Sequence, residues 1–265
     1  MAAPLTFFDC NTFIGTPTNR TPAAPVSVDG LLTALDRAGI ARALVWHVAQ
    51  HDVFPATGNE KLTAALAAEL EHPAAATEPD RARLVPCWSL LPGQTRDMGT
   101  PDELLAQARA AGVRAVRLWP RQGRFLLRRE AVGDLLERVA DAKLPLIYSL
   151  CRDGDWGELY DLLADFRSLT VIISDLDCWG SDRYFRPLLE RYRRVYLETS
   201  GHFVPGGIET FVADYGPERL LFGTGFPAQY HGAAMLLLAH AEIPAEAKQA
   251  IAGGNLTRLL AEAWS

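Results

Sequence analysis

Five short stretches of this 265-residue chain carry side chains able to do chemistry. VIISDLDC sets Asp175 and Asp177 on either side of Leu176. Two carboxyls held together push one pKa upward and make a general acid; salt-bridging to Arg117 or Arg183 is the plainer use of the same pair. ALVWH ends on His47, whose imidazole titrates near neutrality and serves as a general base if it faces a pocket. A core histidine bonded to backbone is the alternative. AVRLW carries Arg117 and Trp119, and VYLETS carries Glu198 and Ser200. A guanidinium inside a fold is costly unless paired. Arg117 must therefore meet Asp175, Glu198 or a bound anion, either as a structural ion pair or as a substrate anchor. DCNTFIG, near the start, places Asp9, Asn11 and Phe13 at alternate positions on one strand face.

Around these lie weaker candidates. Arg114, Arg117, Arg121, Arg124, Arg128 and Arg129 crowd one region of an otherwise acidic chain. Arginine forks suit carboxylate or phosphate; a solvated patch balanced by Glu130, Asp134 and Glu137 is the competing reading. Trp119, Trp156 and Trp179 are available to wall a pocket. His51, His202 and His231 lie in loops on the same side as His47, and Cys178 has no obvious base beside it. The four cysteines are widely spaced, which fits reduced thiols in the cytoplasm rather than a zinc site. A net charge of −6 argues against nucleic acid. No apolar run reaches membrane-spanning length, and MAAPLTFFDC lacks the features of a secretory signal.

These side chains need elements to position them. Apolar β-type runs occur at Leu5–Asn11, Ala41–Val48, Arg83–Leu90, Val113–Pro120, Leu144–Leu150, Thr170–Leu176, Arg194–Ser200 and Arg219–Gly225. Seven amphipathic segments separate them, and a long helical tail is expected from about Ala233 to Trp264. Thr100-Pro101-Asp102-Glu103 reads as a capping box, and Gly39 and Gly112 as helix ends. Eight strand–helix units in this length predict a single-domain α/β fold over residues 1–265, a (β/α)8 TIM barrel. The rival, an open doubly wound sheet, loses support because no GxGxxG follows the first strand. Thr16–Pro25 reads as a long first loop. In such barrels the active site lies at the C-terminal strand ends. Alternation turns Ala115, Arg117 and Trp119 inward, groups Val171, Ile173 and Asp175 on one face, and groups Tyr196, Glu198 and Ser200 on another.

In order along the chain, FFDCNTFIG, LPLIYSL, VYLETSG and RLLFGTGFP followed by GGNLTRLLAE resemble segments of the amidohydrolase-related TIM-barrel hydrolases, a family that includes decarboxylases and lactonases of small carboxylic acids. The resemblance implies a first strand ending Asp-x-His-x-His, a histidine at the end of strand five, another at strand six and a catalytic aspartate after strand eight. Those positions fall on Asn11 and Phe13, on Ser149 or Tyr148, on Asp175 and on Gly225. A zinc hydrolase needs about three protein ligands and a water, and of these positions only Asp175 is a good ligand, so the resemblance predicts an inherited barrel without the family's metal site and with no cofactor; a site rebuilt from His47, Asp175 and another histidine is the lesser alternative. Two readings follow. In one, a metal-independent hydrolase or lyase acts on a small organic acid, ester or lactone. Asp175 and His47 are then catalytic, and Arg117, Trp119, Asn11, Phe13, Tyr148, Ser149 and Glu198 bind a small, anionic ligand. In the other, the chain is a pseudoenzyme that binds a partner, as a homodimer or with a paralogue.

Overall fold

The computed structural model describes residues 4–18, 27–70, 82–176, 181–201 and 204–265. Eight strands form one parallel sheet in chain order: β1 (Phe7–Ile14), β2 (Ile40–His47), β3 (Leu84–Ser89), β4 (Ala115–Arg117), β5 (Leu146–Ser149), β6 (Val171–Ser174), β7 (Val195–Glu198) and β8 (Leu220–Leu221). The barrel closes between β1 and the end of β8. The Cys10 N–H donates to the Phe222 carbonyl at 3.0 Å and the Phe13 N–H to the Phe226 carbonyl at 3.0 Å. This is the expected (β/α)8 barrel.

Helices α1 (Val28–Ala38), α2 (Ala49–Asp52), α3 (Pro55–Leu70), α4 (Pro101–Ala110), α5 (Arg129–Asp141), α6 (Trp156–Asp165), α7 (Asp182–Arg191), α8 (Gly207–Tyr215) and α9 (His231–His240) surround it. The tail is not one helix. It runs as α9, α10 (Ala245–Gln249), a π-helical turn (Ala250–Gly254) and α11 (Asn255–Ala261). Pro244 is the reason for the first break, because proline disfavours helix at Ile243 and offers no amide donor.

Alternation sorts the core into two shells. Inside the barrel lie Phe8, Cys10, Phe13, Leu44, Trp46, Ala115, Trp119, Ile147, Ile172, Tyr196 and Leu221. Between strands and helices lie Ala43, Val45, Val116, Leu118, Leu146, Tyr148, Val171, Ile173, Val195 and Leu197. The helices are stopped by local chemistry. Gly39 ends α1 in the left-handed region, φ 76°, with its N–H on the Asp36 carbonyl. Thr100 and Glu103 form the capping box of α4. Thr100→Ala removes that cap and should cost about 1 kcal/mol, measured as a shift in the urea midpoint without loss of ligand binding.

Candidate active site

The site begins with a defect in β1. Its pairing with β2 slips by one residue between Asp9 and Thr12. Cys10 and Phe13, three residues apart, consequently both belong to the interior cluster, as expected where a bulge inserts one residue. The extra residue, Asn11, reaches across the barrel. Its Nδ2 donates to Asp175 Oδ1 at 2.8 Å and to Glu198 Oε1 at 3.3 Å. Its Oδ1 accepts from Arg117 Nη2 at 2.8 Å. Asp9 is drawn instead to β8, accepting from the Thr224 N–H at 3.0 Å and the Thr224 hydroxyl at 2.5 Å.

One asparagine thus links a cation from β4, a carboxylate from the end of β6 and a carboxyl from β7. Asp175 also accepts from Ser149 and, at 3.1 Å, from Ser174. Arg152 Nε lies 3.6 Å from its Oδ2. Glu198 accepts from the Asp175 N–H at 2.8 Å, the Ser200 N–H at 2.7 Å and the Ser200 hydroxyl at 2.5 Å. Gly223 must lack a side chain here, since a Cβ would meet Glu198 Oε2 at 2.1 Å.

The two acids are driven apart. Burial pushes Asp175 upward, but the charges of Arg152 and Arg117 and the hydrogen bonds from Ser149 and Asn11 outweigh it and hold the group below its ordinary value. Burial and the Asp175 charge raise Glu198 to about 7, against the pull of its Ser200 bonds. Burial likewise raises Asp9 to about 7 despite the bonds from Thr224. Neighbouring titratable groups separated in this way are suited to opposite halves of a proton transfer. Burial raises Cys87 to about 11, against the charge of Arg117 and a hydrogen bond with it.

Above this network the barrel mouth is aromatic. Phe13 and Trp46 ring centres are 5.0 Å apart, Trp46 and Trp119 5.2 Å, and His51 meets Trp119 edge-on at 4.9 Å. The Arg117 guanidinium lies 5.2 Å from the Trp46 centroid and 5.6 Å from that of Trp119. Arg152 lies 5.0 Å from Phe13 and 5.3 Å from Trp46. Arg117 is only 1% exposed, yet among the described residues its Nε and Nη1 have no hydrogen-bond partner.

The sequence expectations fare unevenly against this geometry. Asn11, Phe13, Arg117, Trp119, Ser149, Asp175 and Glu198 converge at the mouth. His47 does not. It continues the outward series Ala43 and Val45, and its Nδ1 accepts from the Ala49 N–H at 3.0 Å. Tyr148 also faces outward, and its hydroxyl donates to the Asp155 carbonyl at 3.2 Å. Val171 and Ile173 pack against helices rather than sharing a face with Asp175. Asp175 reaches the interior because its backbone is left-handed, φ 53°. The arginine cluster disperses: Arg128 pairs with Asp161, Arg129 with Glu137 and Arg121 with Asp155, and only Arg117 turns inward. Trp156 stacks on Tyr184 at 5.1 Å, remote from the Trp46–Trp119 row. Asp177, Cys178, Trp179, His202 and residues 19–25 of the first loop lie outside the described residues. Arg152 was not anticipated. As a loop residue beyond β5 it carries no periodic signal, and only its position three residues past Ser149 could have suggested it.

Two arginines and two carboxyls of separated pKa thus meet at the C-terminal end of a (β/α)8 barrel, where such folds carry their active sites. The amidohydrolase family model matches residues 31–261, and the chain belongs to the amidohydrolase family. Three solved structures share its fold. The 5-carboxyvanillate decarboxylase from Sphingomonas paucimobilis is 14% identical, with TM-score 0.69 and 97% and 99% of the two chains covered. A probable 2-pyrone-4,6-dicarboxylic acid hydrolase from Acinetobacter baumannii, with citric acid bound, is 17% identical, with TM-score 0.68 over 97% and 100%. An uncharacterized TIM-barrel protein from Bordetella bronchiseptica is 19% identical, with TM-score 0.67 over 97% and 99%. No curated protein matches the chain in sequence. No helix among the described residues is long and apolar enough to cross a membrane.

Proposed function

We propose that this protein binds a small organic acid at the barrel mouth through Arg117 and Arg152, without a metal ion, and moves a proton on Asp175 and Glu198 in a hydrolase or lyase reaction. The carrying observation is the buried Arg117 guanidinium, whose Nε and Nη1 lack hydrogen-bond partners among the described residues. Buried charge-bearing donors need an acceptor, and a carboxylate fits the arginine fork. The neighbours named for carboxylated aromatic and pyrone compounds support the same class of ligand.

A divalent metal does not fit the described donors. The Asn11 oxygen is taken by Arg117, and both Asp175 oxygens accept hydrogen bonds. Phe13 packs on Trp46, and no three His, Cys, Asp or Glu side chains among the described residues cluster to hold an ion. Two guanidiniums supply the positive charge at this mouth. With His47 turned away, the acid–base role passes to the carboxyl pair. Asp175 is ionised and accepts a proton, while Glu198, protonated into the neutral range, stores one beside it.

The test is a screen of lactones, esters and aromatic carboxylates on chelator-treated protein, following both binding and product. Carboxylates should bind, and Arg117→Ala should weaken them at least about tenfold, or roughly 1.4 kcal/mol. Methyl esters binding as tightly as their parent acids would contradict the reading. A second reading, binding without turnover, is favoured by Phe13 and Asn11 each being 2% exposed and filling the mouth. The barrel would then serve a second copy or a paralogue. Carboxylate binding with no product from any compound, together with a concentration-dependent assembly in sedimentation, would select it.

A further inference from the structure

The turn from β5 to α6 holds a buried acid that the proposed chemistry does not use. Asp153 is 4% exposed. Its Oδ2 accepts from the Arg121 N–H at 3.1 Å and its Oδ1 from the Gln122 N–H at 3.2 Å. Both donors belong to the loop from β4 to α5. That loop begins at Trp119 and is closed on itself, with the Gly123 N–H on the Trp119 carbonyl at 2.7 Å and the Phe125 N–H on the Pro120 carbonyl at 3.0 Å. Backbone N–H groups taken from water need acceptors, and here one carboxylate serves two of them. A further contact between the two loops, Arg121 with Asp155 at 3.8 Å, is exposed at both ends and contributes little.

Asp153 adjoins Arg152, and the turn around them is tight. The Leu150 N–H donates to the Ser174 carbonyl at 3.0 Å, and the Asp153 and Gly154 N–H groups both donate to the Ser149 carbonyl, at 3.3 and 2.9 Å. Gly154 lies so close that a Cβ would meet the Ser149 carbonyl oxygen at 2.8 Å. Arg152 leaves this turn to cover Phe13 and Trp46. Ring faces hold its side chain there, together with the 3.6 Å approach to Asp175, which is too long for a hydrogen bond. Its Nε has no hydrogen-bond partner among the described residues. A long side chain loses much rotamer freedom in keeping one place, so the backbone beneath it must be fixed.

We propose that Asp153 is a positioning residue. By tying the β5–α6 turn to the β4–α5 loop, it sets the Arg152 guanidinium over Phe13 and Trp46, where a carboxylate ligand meets both mouth arginines. Asp153 touches no ligand and acts through Arg152. The inference rests on the carboxylate reading of the mouth, and its test separates the two.

Asp153→Asn breaks the tie, because an amide offers one acceptor oxygen to two N–H donors and sets its own donor against the second. The first readout is the Arg152 Nε–H resonance of the full chain without ligand, assigned with Arg152→Ala. The Phe13 and Trp46 rings displace it in the native protein, and Asp153→Asn should return it toward the position of an exposed arginine. The second readout is benzoate affinity by calorimetry, for the native chain, both single variants and the double variant. Each single substitution should weaken benzoate at least about fivefold, and the double variant should bind no more weakly than Arg152→Ala alone. Asp153→Ala, which removes both acceptor oxygens, repeats the measurements if Asp153→Asn does not fold. An unmoved Arg152 resonance would overturn the proposal whatever happens to benzoate. So would a loss of affinity as large in the Arg152→Ala background as in the native chain, because a merely structural effect of Asp153 would add to that of Arg152. A native chain that ignores benzoate, or Arg152→Ala binding it as tightly, would instead contradict the carboxylate reading, and the resonance would still decide the role of Asp153.

Discussion

Asp175→Asn is expected to destabilise the protein by about 3–5 kcal/mol, the usual cost of removing one partner of a buried ion pair. Arg152 lies 3.6 Å from Asp175, the charge of Arg117 also acts on it, and Asp175 is 7% exposed. Its loss leaves Arg117, at 1% exposure, with the Asn11 amide oxygen and the Trp46 and Trp119 rings but without this carboxylate. Asparagine keeps the shape and much of the hydrogen bonding to Ser149, Ser174 and Asn11, so the measured change isolates charge. The loss should shrink above neutral pH. Without the Asp175 charge, Glu198 is relieved of the nearest group that raises it, ionises more easily and becomes the counterion. Urea denaturation of both proteins at pH 6 and pH 8 checks this. A change below about 1 kcal/mol at pH 6 would mean the arginines have another partner.

The second large effect is on pH dependence. Glu198 and Asp9 are raised from 4.5 and 3.8 to about 7. Between these limits the folded protein holds protons that the unfolded chain has released, so stability falls as pH rises through the window. A shift of this size corresponds to on the order of 3 kcal/mol for a single carboxyl. Asp175 acts oppositely: its stabilising contribution is present above its unfolded pKa and is lost as pH falls through its depressed folded value. Stability should therefore peak in mildly acidic solution and decline toward pH 8. Glu198→Gln, a neutral mimic of the protonated acid, should flatten the decline. A variant with an unchanged slope from pH 5 to 8 would remove Glu198 from this account.

Much of the barrel was legible because strand and helix periods differ and alternate eight times. The inward positions of Arg117, Trp119 and Glu198 followed from parity alone. Parity also placed Asn11 and Phe13 on one face, and both reach the mouth. It failed where the backbone is irregular: across the β1 bulge Cys10 shares the interior with Phe13, and the left-handed φ of Asp175 rescues a residue whose strand neighbours face outward. His47 and Tyr148 show the cost of a one-residue ambiguity at strand ends: Trp46 and Ser149 are the neighbours that point in. The arginine run left two readings open, and the solvated patch fits Arg121, Arg128 and Arg129. Sequence counts charges but does not show that surface arginines find separate carboxylates while one turns inside. Arg152 was invisible because its role comes from stacking on Phe13 and Trp46, which lie far from it in the chain.

The most direct measurement is a calorimetric titration of an aromatic carboxylate into chelator-dialysed protein, repeated after adding zinc or manganese. We expect saturable one-to-one binding that the metals do not change and that Arg117→Ala weakens at least about tenfold. Binding that appears only with added metal, accompanied by near-stoichiometric metal on the chain, would contradict the arginine-based site.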